Sequence, residues 1–128
     1  MEDRMKLSKL TALLLLCLPL SGIADYQYQS QFGSRGSTTG RFDGPRGVAI
    51  DNVGDIVVTE SGNHRVQICT DTGTCTAWGS FGTLSDQFDR PRGVGVDSED
   101  RIFVADRGND RIERCNASGS CGDFGGSA

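Results

Sequence analysis

The sequence lacks several residue types that common functional sites require. It has a single histidine, His64, and no lysine after Lys9. A catalytic zinc site needs several side-chain ligands around one open position, and one histidine cannot provide them. The sequence contains neither a Gly-x-Ser-x-Gly turn, which would expose a nucleophilic serine, nor a glycine-rich phosphate loop. We therefore predict no catalytic residues, no metal site and no cofactor in this chain.

Long hydrophobic runs are scarce, and the one that is present lies at the start of the chain. Lys6 and Lys9 precede the apolar run Leu10–Leu20, which a small-x-small motif follows. This order predicts a signal peptide over residues 1–24, with cleavage near Ala24-Asp25. Since the run is too short to span a membrane, we expect a secreted or periplasmic protein without membrane contact after cleavage.

Four of the five cysteines lie beyond the predicted signal peptide, in two local pairs. The fifth, Cys17, would be the acylated residue of a lipoprotein, but Leu16 stands where a small residue is expected. Each pair brackets a short stretch with a Gly, so a hairpin turn would place the two thiols opposite each other. The spacing is too wide for a zinc knuckle, and exported proteins favour disulfides. We therefore predict the disulfides Cys69–Cys75 and Cys115–Cys121.

Positive charge is also limited beyond residue 24. All cations there are arginines, ten against fifteen Asp and Glu residues, which gives a net charge of −5. Nonspecific nucleic-acid binding gains most of its affinity from neutralising phosphates and needs a basic surface. We therefore expect no nucleic-acid partner.

The chain repeats itself without a gap. Phe42-Asp-Gly-Pro-Arg-Gly-Val48 returns as Phe88-Asp-Arg-Pro-Arg-Gly-Val94, so position 42 corresponds to position 88, a shift of 46. Phe32-Gly33, Trp78-Gly79 and Phe124-Gly125 follow the same shift. A fixed period of this length indicates stacked supersecondary units.

Within each unit, apolar residues alternate with a period of two, and turn residues separate the runs. Four short strands per unit predict an antiparallel meander, and nothing after the signal peptide predicts a helix. Radially repeated meanders form a β-propeller, whose sheets pack face to face. In the first unit, the apolar set expected to pack between sheets is Val48, Ile50, Ile56, Val58, Val66, Ile68 and Trp78.

The repeated motifs resemble NHL repeats. The resemblance is carried by Phe-Asp-x-Pro-Arg-Gly-Val, by Ile-Val-Val-Thr-Glu at 56–60 and by Asn-His-Arg-Val-Gln-Ile at 63–68. It implies an all-β fold of β-propeller blades, each a four-stranded antiparallel meander, with six blades in a complete ring. It leaves the activity open, because NHL propellers include protein-binding modules, RNA-binding domains, sensor ectodomains and a peptide-amidating lyase.

We divide the chain by this period. Residues 1–24 are the signal peptide, 25–41 a closing strand and the loop into the first repeat, 42–87 the first NHL repeat, 88–125 the second repeat with the start of a further unit, and 126–128 a tail. Two full repeats plus flanking partial strands leave an open face at each end, whereas about three repeats are normally needed for a continuous core. Either three chains form a homotrimer with six blades, or the chain is a fragment of a longer propeller.

Some positions depart from the repeat or are expected to form turns. Arg114 stands where the first repeat has Ile68, so one strand of the second repeat loses an apolar side chain. Asp51 and Asp97 are expected to cap turn N–H groups, since neither segment has the spacing of a calcium loop. Each repeat also has an Asn after a Gly, which we interpret as a turn former that tolerates a left-handed backbone conformation: Asn63 and Asn109.

One end of the predicted blades carries the candidate binding site. There the loop before the first strand meets the loop between the second and third strands, at the channel mouth where propellers bind ligands. We expect a protein or small-molecule ligand at this end. The alternative is that Arg46 and Arg92 brace neighbouring loops or pair with Asp43 and Asp89. The candidate residues are Arg46, Ser61, His64, Arg92, Arg107 and Asp110.

The sequence as a whole predicts an exported, non-catalytic binding or scaffolding module. The alternative is a fragment of a propeller enzyme, a lyase or a lactonase-like hydrolase, whose catalytic or metal residues lie in further blades.

Overall fold

The structure, a computed structural model, describes residues 27–123 and contains two four-stranded antiparallel sheets. The predicted signal peptide and Phe124-Gly125 lie outside the described residues. Within the described range, no helix has the length and hydrophobicity needed to cross a membrane.

Each sheet is a meander whose strands pair in sequence order, and we call the two sheets blade 1 and blade 2. Blade 1 contains β1 (Pro45–Ile50), β2 (Ile56–Glu60), β3 (Arg65–Cys69) and β4 (Cys75–Trp78). Blade 2 contains β5 (Val94–Val96), β6 (Ile102–Asp106), β7 (Arg111–Cys115) and β8 (Cys121–Asp123). A short 3-10 turn, Arg107–Asn109, is the one helical element of the described residues and was not predicted. The all-β prediction is confirmed.

Both predicted disulfides are formed, one at the end of each outer hairpin. Cys69 pairs with Cys75 across β3 and β4, and Cys115 pairs with Cys121 across β7 and β8. The glycine in each turn has a positive φ, +86° at Gly73, which residues with a Cβ rarely adopt. The two outer strands of each blade are therefore covalently fixed to each other.

Blade 1 packs against blade 2 through one side of its sheet. Val57, Val66 and Ile68 on that side form a buried cluster with Ile102 and Val104 of blade 2. At the rim of the cluster the Trp78 and Phe88 rings lie 5.7 Å apart. The predicted face-to-face packing of blades is therefore observed once within the chain.

Val48 and Ile50, which belong to the apolar set expected to pack between sheets, lie on one of the open faces that the sequence predicts for two blades. Their exposed fractions are 67% and 59%, although the equivalent Val94 and Val96 of blade 2 are half-buried. Val48 and Ile50 lie on the side of β1 that faces away from blade 2, and no described sheet covers it. Alternation identifies the two sides of a strand, but it does not reveal whether a neighbour covers each side.

The blades approach most closely where β1 meets the segment before β5. A Cβ at Gly47 would overlap the carbonyl oxygen of Arg92 and lie 2.8 Å from Thr59 Oγ1. The equivalent position in blade 2, Gly93, has open space, since a Cβ there would meet only the Ala105 Cβ at 3.6 Å. A glycine is therefore required by packing at position 47 but not at position 93.

A buried polar layer holds the loop before β1 onto blade 1. Arg65 donates from Nη2 to the carbonyl oxygen of Arg41 at 2.8 Å and from Nε to the buried Glu60 at 2.7 Å. Gln67 Nε2 donates to Glu60 at 2.7 Å, while its Oε1 accepts from Gly40 N at 2.8 Å. The neutral Gln67 thus both donates and accepts in this layer.

Blade 2 has the same layer with one change of charge. Arg111 Nη2 donates to the carbonyl oxygens of Leu84 at 2.7 Å and Gln87 at 2.8 Å, and its Nε donates to Asp106 at 3.1 Å. Glu113, at the position equivalent to Gln67, pairs with Nη2 of Arg111. Two fully buried carboxylates, Asp106 and Glu113, therefore share one guanidinium.

Candidate functional site

The candidate site begins where the loop before β1 contacts the β2–β3 loop. Ser61 N donates to Gly44 O at 2.9 Å, and Gly62 N donates to Asp43 O at 3.1 Å. In blade 2, Gly108 N donates to the equivalent carbonyl at 2.7 Å. These bonds hold both loops at the same end of each blade, which we call the loop end.

Ser61 and His64 are engaged in contacts between the blades. Ser61 Oγ donates to Pro91 O at 2.8 Å, and His64 Nδ1 accepts from Arg90 N at 3.1 Å. The His64 ring packs edge-on against Phe81, with centroids 4.9 Å apart, and its Nδ1 lies 3.7 Å from Asp89 Oδ1. These two candidate residues therefore link blade 1 to the segment before β5.

Arg46 has an unusual position because a β-bulge occurs at it. Pro45 pairs with Glu60 and Gly47 pairs with Thr59, so Arg46 is an extra residue in β1. Bulges bend a strand and redirect a side chain, and Arg46 is exposed. It borders an open cleft of about 370 Å³, lined by Phe32, Phe42, Pro45, Gly47, Val48 and Val58 as well.

Arg92, the repeat equivalent of Arg46, is exposed although blade 1 packs beside it. Its N–H donates to Ala105 O at 3.0 Å, and its carbonyl accepts from Thr59 Oγ1 at 2.5 Å. The side chain is left at the surface of the loop end. An arginine at this position of the repeat therefore stays accessible when a neighbouring blade is present.

The ion pairs suggested for the two candidate arginines are not the ones observed. Asp43 Oδ1 lies 3.6 Å from Arg35 Nε, and Asp89 Oδ1 lies 3.1 Å from Arg90 Nε. These aspartates thus pair with arginines of their own loops.

Arg107 and Asp110 are exposed on blade 2, before β7. Asp110 has a φ of +53° and its N–H donates to Arg107 O at 3.3 Å, which closes the 3-10 turn. The structure thus places Ser61 and His64 between the blades, and Arg46, Arg92, Arg107 and Asp110 at the surface.

Asn63 and Asn109 lie in turns as expected, but they are not the residues with a left-handed backbone conformation. The positive φ values occur at the following residues, His64 and Asp110, both +53°. Asn63 Nδ2 instead donates to Glu60 at 2.6 Å, and Asn109 Nδ2 makes the equivalent bond to Asp106 at 2.7 Å. The asparagines belong to the buried polar layers.

At the opposite end of the blades, Asp51 and Asp97 cap turns as expected. Asp51 Oδ1 accepts from Asp55 N at 2.8 Å, and Asp97 Oδ1 accepts from Glu99 N at 2.9 Å and Arg101 N at 3.0 Å. Desolvation acts to raise the pKa of Asp97, but hydrogen bonds from the Arg101 side chain and from these amides outweigh it and lower the pKa. The ionised carboxylate is therefore the form that the turn stabilises.

One group of potential metal ligands occurs within the described residues, and it lies away from the loop end. Glu113, Cys115 and Cys121 have ligand atoms within 4.8 Å of one another. Both sulfurs are bonded to each other, whereas metal ligation requires thiolates. This group is a carboxylate beside a disulfide rather than a metal centre.

Comparisons with known proteins agree with this architecture. Residues 42–69 and 88–115 match the family model described as NHL repeat. Over 46 residues, 36% of this chain, the chain is 44% identical to the B-box type zinc finger protein ncl-1 of Caenorhabditis elegans and 41% identical to Protein brain tumor of Drosophila melanogaster. The matched segment spans only 5% and 4% of those two proteins.

Solved structures also resemble the chain. Virginiamycin B lyase from Staphylococcus aureus, crystallised with quinupristin, matches with a TM-score of 0.53 and 25% identity. The match covers 62% of this chain and 26% of the lyase. The similarity shows that the two meanders are blades of a β-propeller.

Proposed function

Because the chain belongs to the NHL-repeat family and folds its two repeats as propeller blades, we propose that it is an exported, non-catalytic binding or scaffolding module. Export is supported by the charged, apolar and small-residue order of residues 1–24. It is also supported by the two disulfides, which persist in oxidising compartments.

The loop end is the proposed binding surface, and the exposure of its arginines carries the proposal. Arg46, near the start of β1, and Arg92, just before β5, occupy equivalent positions of the repeat, and Arg107 lies at the same end of blade 2. A guanidinium binds a carboxylate through two parallel hydrogen bonds, which makes arginine suited to acidic ligands. We therefore propose that the ligand is an acidic peptide or a small molecule that carries carboxylates.

A non-catalytic role is supported by the engagement of the two side chains best suited to proton transfer or nucleophilic attack. Ser61 Oγ is a donor to Pro91 O, and His64 Nδ1 accepts from a backbone amide. A general base needs a free nitrogen within reach of the substrate proton. His64 instead uses Nδ1 to connect the blades.

We further propose that a complete propeller is assembled from three chains, each of which contributes two blades. The exposed Val48 and Ile50 of blade 1 support this assembly, because their equivalents in blade 2 are covered by a neighbouring blade. A homotrimer would repeat the loop-end arginines around one axis and increase avidity for a multivalent ligand.

The experiment that tests the binding proposal is fluorescence anisotropy with two labelled peptides of equal length, oligo-glutamate and oligo-lysine. We expect the protein to bind oligo-glutamate, and the double variant Arg46→Glu/Arg92→Glu to bind it at least about tenfold more weakly. Arg101→Glu, at the opposite end of blade 2, is the control and should bind as the unaltered protein does. Equal binding of both peptides, or an unchanged affinity of the double variant, would contradict the proposal.

The alternative function is a propeller enzyme whose catalytic residues lie in further blades, and the similarity to virginiamycin B lyase favours it. The two proposals differ in a direct assay. Under the binding proposal, quinupristin incubated with the protein is recovered unchanged by chromatography, with and without added divalent metal. Conversion that depends on the protein would favour the enzyme.

A further inference from the structure

We infer that a second copy of this chain docks onto blade 1 in the way that blade 1 docks onto blade 2. In this contact between copies, pairs of opposite charge stand at positions where the contact within the chain is apolar or neutral. This inference deepens the assembly proposed above and rests on it, but it does not depend on the loop-end ligand. It concerns two surfaces, and the surface that corresponds to each of them by the 46-residue repeat is buried where blade 1 packs on blade 2.

The two surfaces are defined by the contact within the chain. We call the side of a blade that carries Val48 and Ile50, or the equivalent Val94 and Val96, its receiving face. The opposite side, which carries Ala49 in blade 1, is its docking face. Within the chain, the docking face of blade 1 covers the receiving face of blade 2. No sheet among residues 27–123 covers the receiving face of blade 1 or the docking face of blade 2.

The two uncovered faces have the cleft and the glycine that allow close packing where blade 1 meets blade 2. On blade 1, the cleft beside Arg46 has a repeat equivalent in blade 2 around Phe88 and Val94, and there blade 1 fills it. On blade 2, Gly93 keeps the position clear where Gly47 allows the closest approach of two blades. Because Gly93 has open space within the chain, its lack of a side chain matters only when another blade approaches.

The first charge pair involves Asp110 and Arg35. Within the chain, the His64 ring packs on Phe81, and a shift of 46 residues relates these positions to Asp110 and Arg35. A docked copy would therefore bring Asp110 to the Arg35 guanidinium of its neighbour. Arg35 is 89% exposed and pairs loosely with Asp43 at 3.6 Å, so it would then lie between two carboxylates.

The second charge pair has the opposite polarity. Ile68 and Ala117 line one cavity of about 300 Å³ between the blades, and the repeat relates them to Arg114 and Asp71. Docking would thus bring Arg114 of one copy near Asp71 of the next, and both residues are exposed in the single chain. An arginine is costly in an apolar interface unless a partner charge is present, which this arrangement provides.

The hydrogen bonds between the blades are conserved only in part. Ser61 Oγ donates to Pro91 O within the chain, and Arg107 at the equivalent position also carries donors, which in a docked copy would lie near Pro45 O of the neighbour. Thr59, which donates to Arg92 O, is replaced by Ala105, which has no donor. Electrostatic complementarity therefore contributes more to the contact between copies than to the contact within the chain.

One residue already occupies part of the receiving face. Phe32 packs against Phe42 with ring centroids 6.3 Å apart, as Trp78 does against Phe88. Phe32 thus takes the place in blade 1 that Trp78 of the neighbouring blade takes in blade 2. Docking of a second copy therefore requires Phe32 to move away from Phe42, which weakens the association.

The test is a charge swap measured by light scattering on the purified protein over a range of concentrations. We expect the unaltered protein to form head-to-tail assemblies whose mass is a multiple of the monomer mass, either rings or open chains. Arg114→Asp and Asp71→Arg should each weaken association about tenfold, because like charges then face each other. The double variant Arg114→Asp/Asp71→Arg should recover most of the affinity. Arg41→Asp, which changes the net charge equally, is the matched control.

A second set of variants tests the other charge pair and the close approach of the blades, so that the conclusion does not depend on Arg114 and Asp71 alone. Asp110→Arg and Arg35→Asp should behave in the same way, weakened singly and recovered together. Gly93→Val should abolish association while the monomer still folds. A protein that is monomeric at every concentration, or swap variants that fail to recover, would overturn the inference. An unaltered protein that stays monomeric at every concentration but still binds oligo-glutamate would refute the docking alone.

Discussion

In each blade a buried polar layer holds the loop that precedes the first strand, and the two layers differ in charge at one position. In blade 1 the neutral Gln67 donates to the Arg41 carbonyl and to Glu60, and accepts from Gly40. In blade 2, Glu113 occupies that position and shares Arg111 with Asp106. A repeat thus keeps its geometry while the charge of its interior changes. In blade 1 the arginine of the layer, Arg65, pairs with one buried carboxylate, whereas in blade 2 Arg111 pairs with two.

The first way to break the comparison is the glycine pair at the blade contact. Gly47→Ala should reduce the free energy of unfolding by about 3 kcal/mol, because its Cβ overlaps a backbone oxygen that cannot move alone. Gly93→Ala should change it by less than about 0.5 kcal/mol, since the space there is open. Urea unfolding at low protein concentration measures both. Equal destabilisation would mean that the blades do not pack as described.

The second prediction exchanges the polar layers. Gln67→Glu should destabilise the protein by about 2 kcal/mol, because it adds a buried carboxylate and removes two donated hydrogen bonds. Glu113→Gln should stabilise it by about 1 kcal/mol, since the layer of blade 2 then has the composition of blade 1. Thermal unfolding of the two single variants gives the signs. A destabilising Glu113→Gln would show that blade 2 uses the second carboxylate.

The third prediction compares His64, which contacts the other blade, with Asp110, the equivalent residue that makes no described contact with another blade. His64→Ala should cost about 1 kcal/mol of stability, because Arg90 N loses its acceptor. Asp110→Ala has the same backbone strain, since both residues have a φ of +53°, but it removes no described contact between blades. At low concentration, the difference between the two variants in urea unfolding measures the contact alone. No difference would mean that the His64 hydrogen bond contributes nothing.

The smallest expected effect is a dependence on pH at the opposite end of blade 2. The folded protein lowers the pKa of Asp97 from its ordinary value of 3.8, so ionised Asp97 adds stability at pH values above 3.8. This stability is lost as the pH falls through the lower folded pKa. Asp97→Asn should therefore lose less stability than the unaltered protein during acidification, as followed by circular dichroism. Identical acid titrations would exclude a contribution from this turn.

The sequence predicted the parts of the fold that depend on local periodicity. Alternation and turn residues located the strands, and the repeat selected the two disulfide pairs. The sequence also predicted an open face at each end of two blades, but it did not identify Val48 and Ile50 as the residues exposed there. The polar layers were also missed, although a signal was available: Glu60 and Arg65 recur as Asp106 and Arg111 at the same shift.

The sequence predicted where the candidate site lies, but it did not predict the contacts that its residues make. The loops that carry it do meet at one end of each blade, as their bonds show. Ser61 and His64 were nevertheless assigned to ligand binding, while the structure uses them between blades. Their partners lie 30 and 26 residues away in the sequence, beyond the reach of local pattern. The bulge at Arg46 depends on the register of two strands, which the sequence does not show.

The position of Trp78 has a practical consequence. It is the only tryptophan in the chain, and its ring lies against Phe88 at the contact between the blades. Its fluorescence emission therefore reports the separation of blade 1 from blade 2 without any added label. A red shift that precedes the loss of β-sheet signal during unfolding would identify an intermediate in which two intact meanders have come apart.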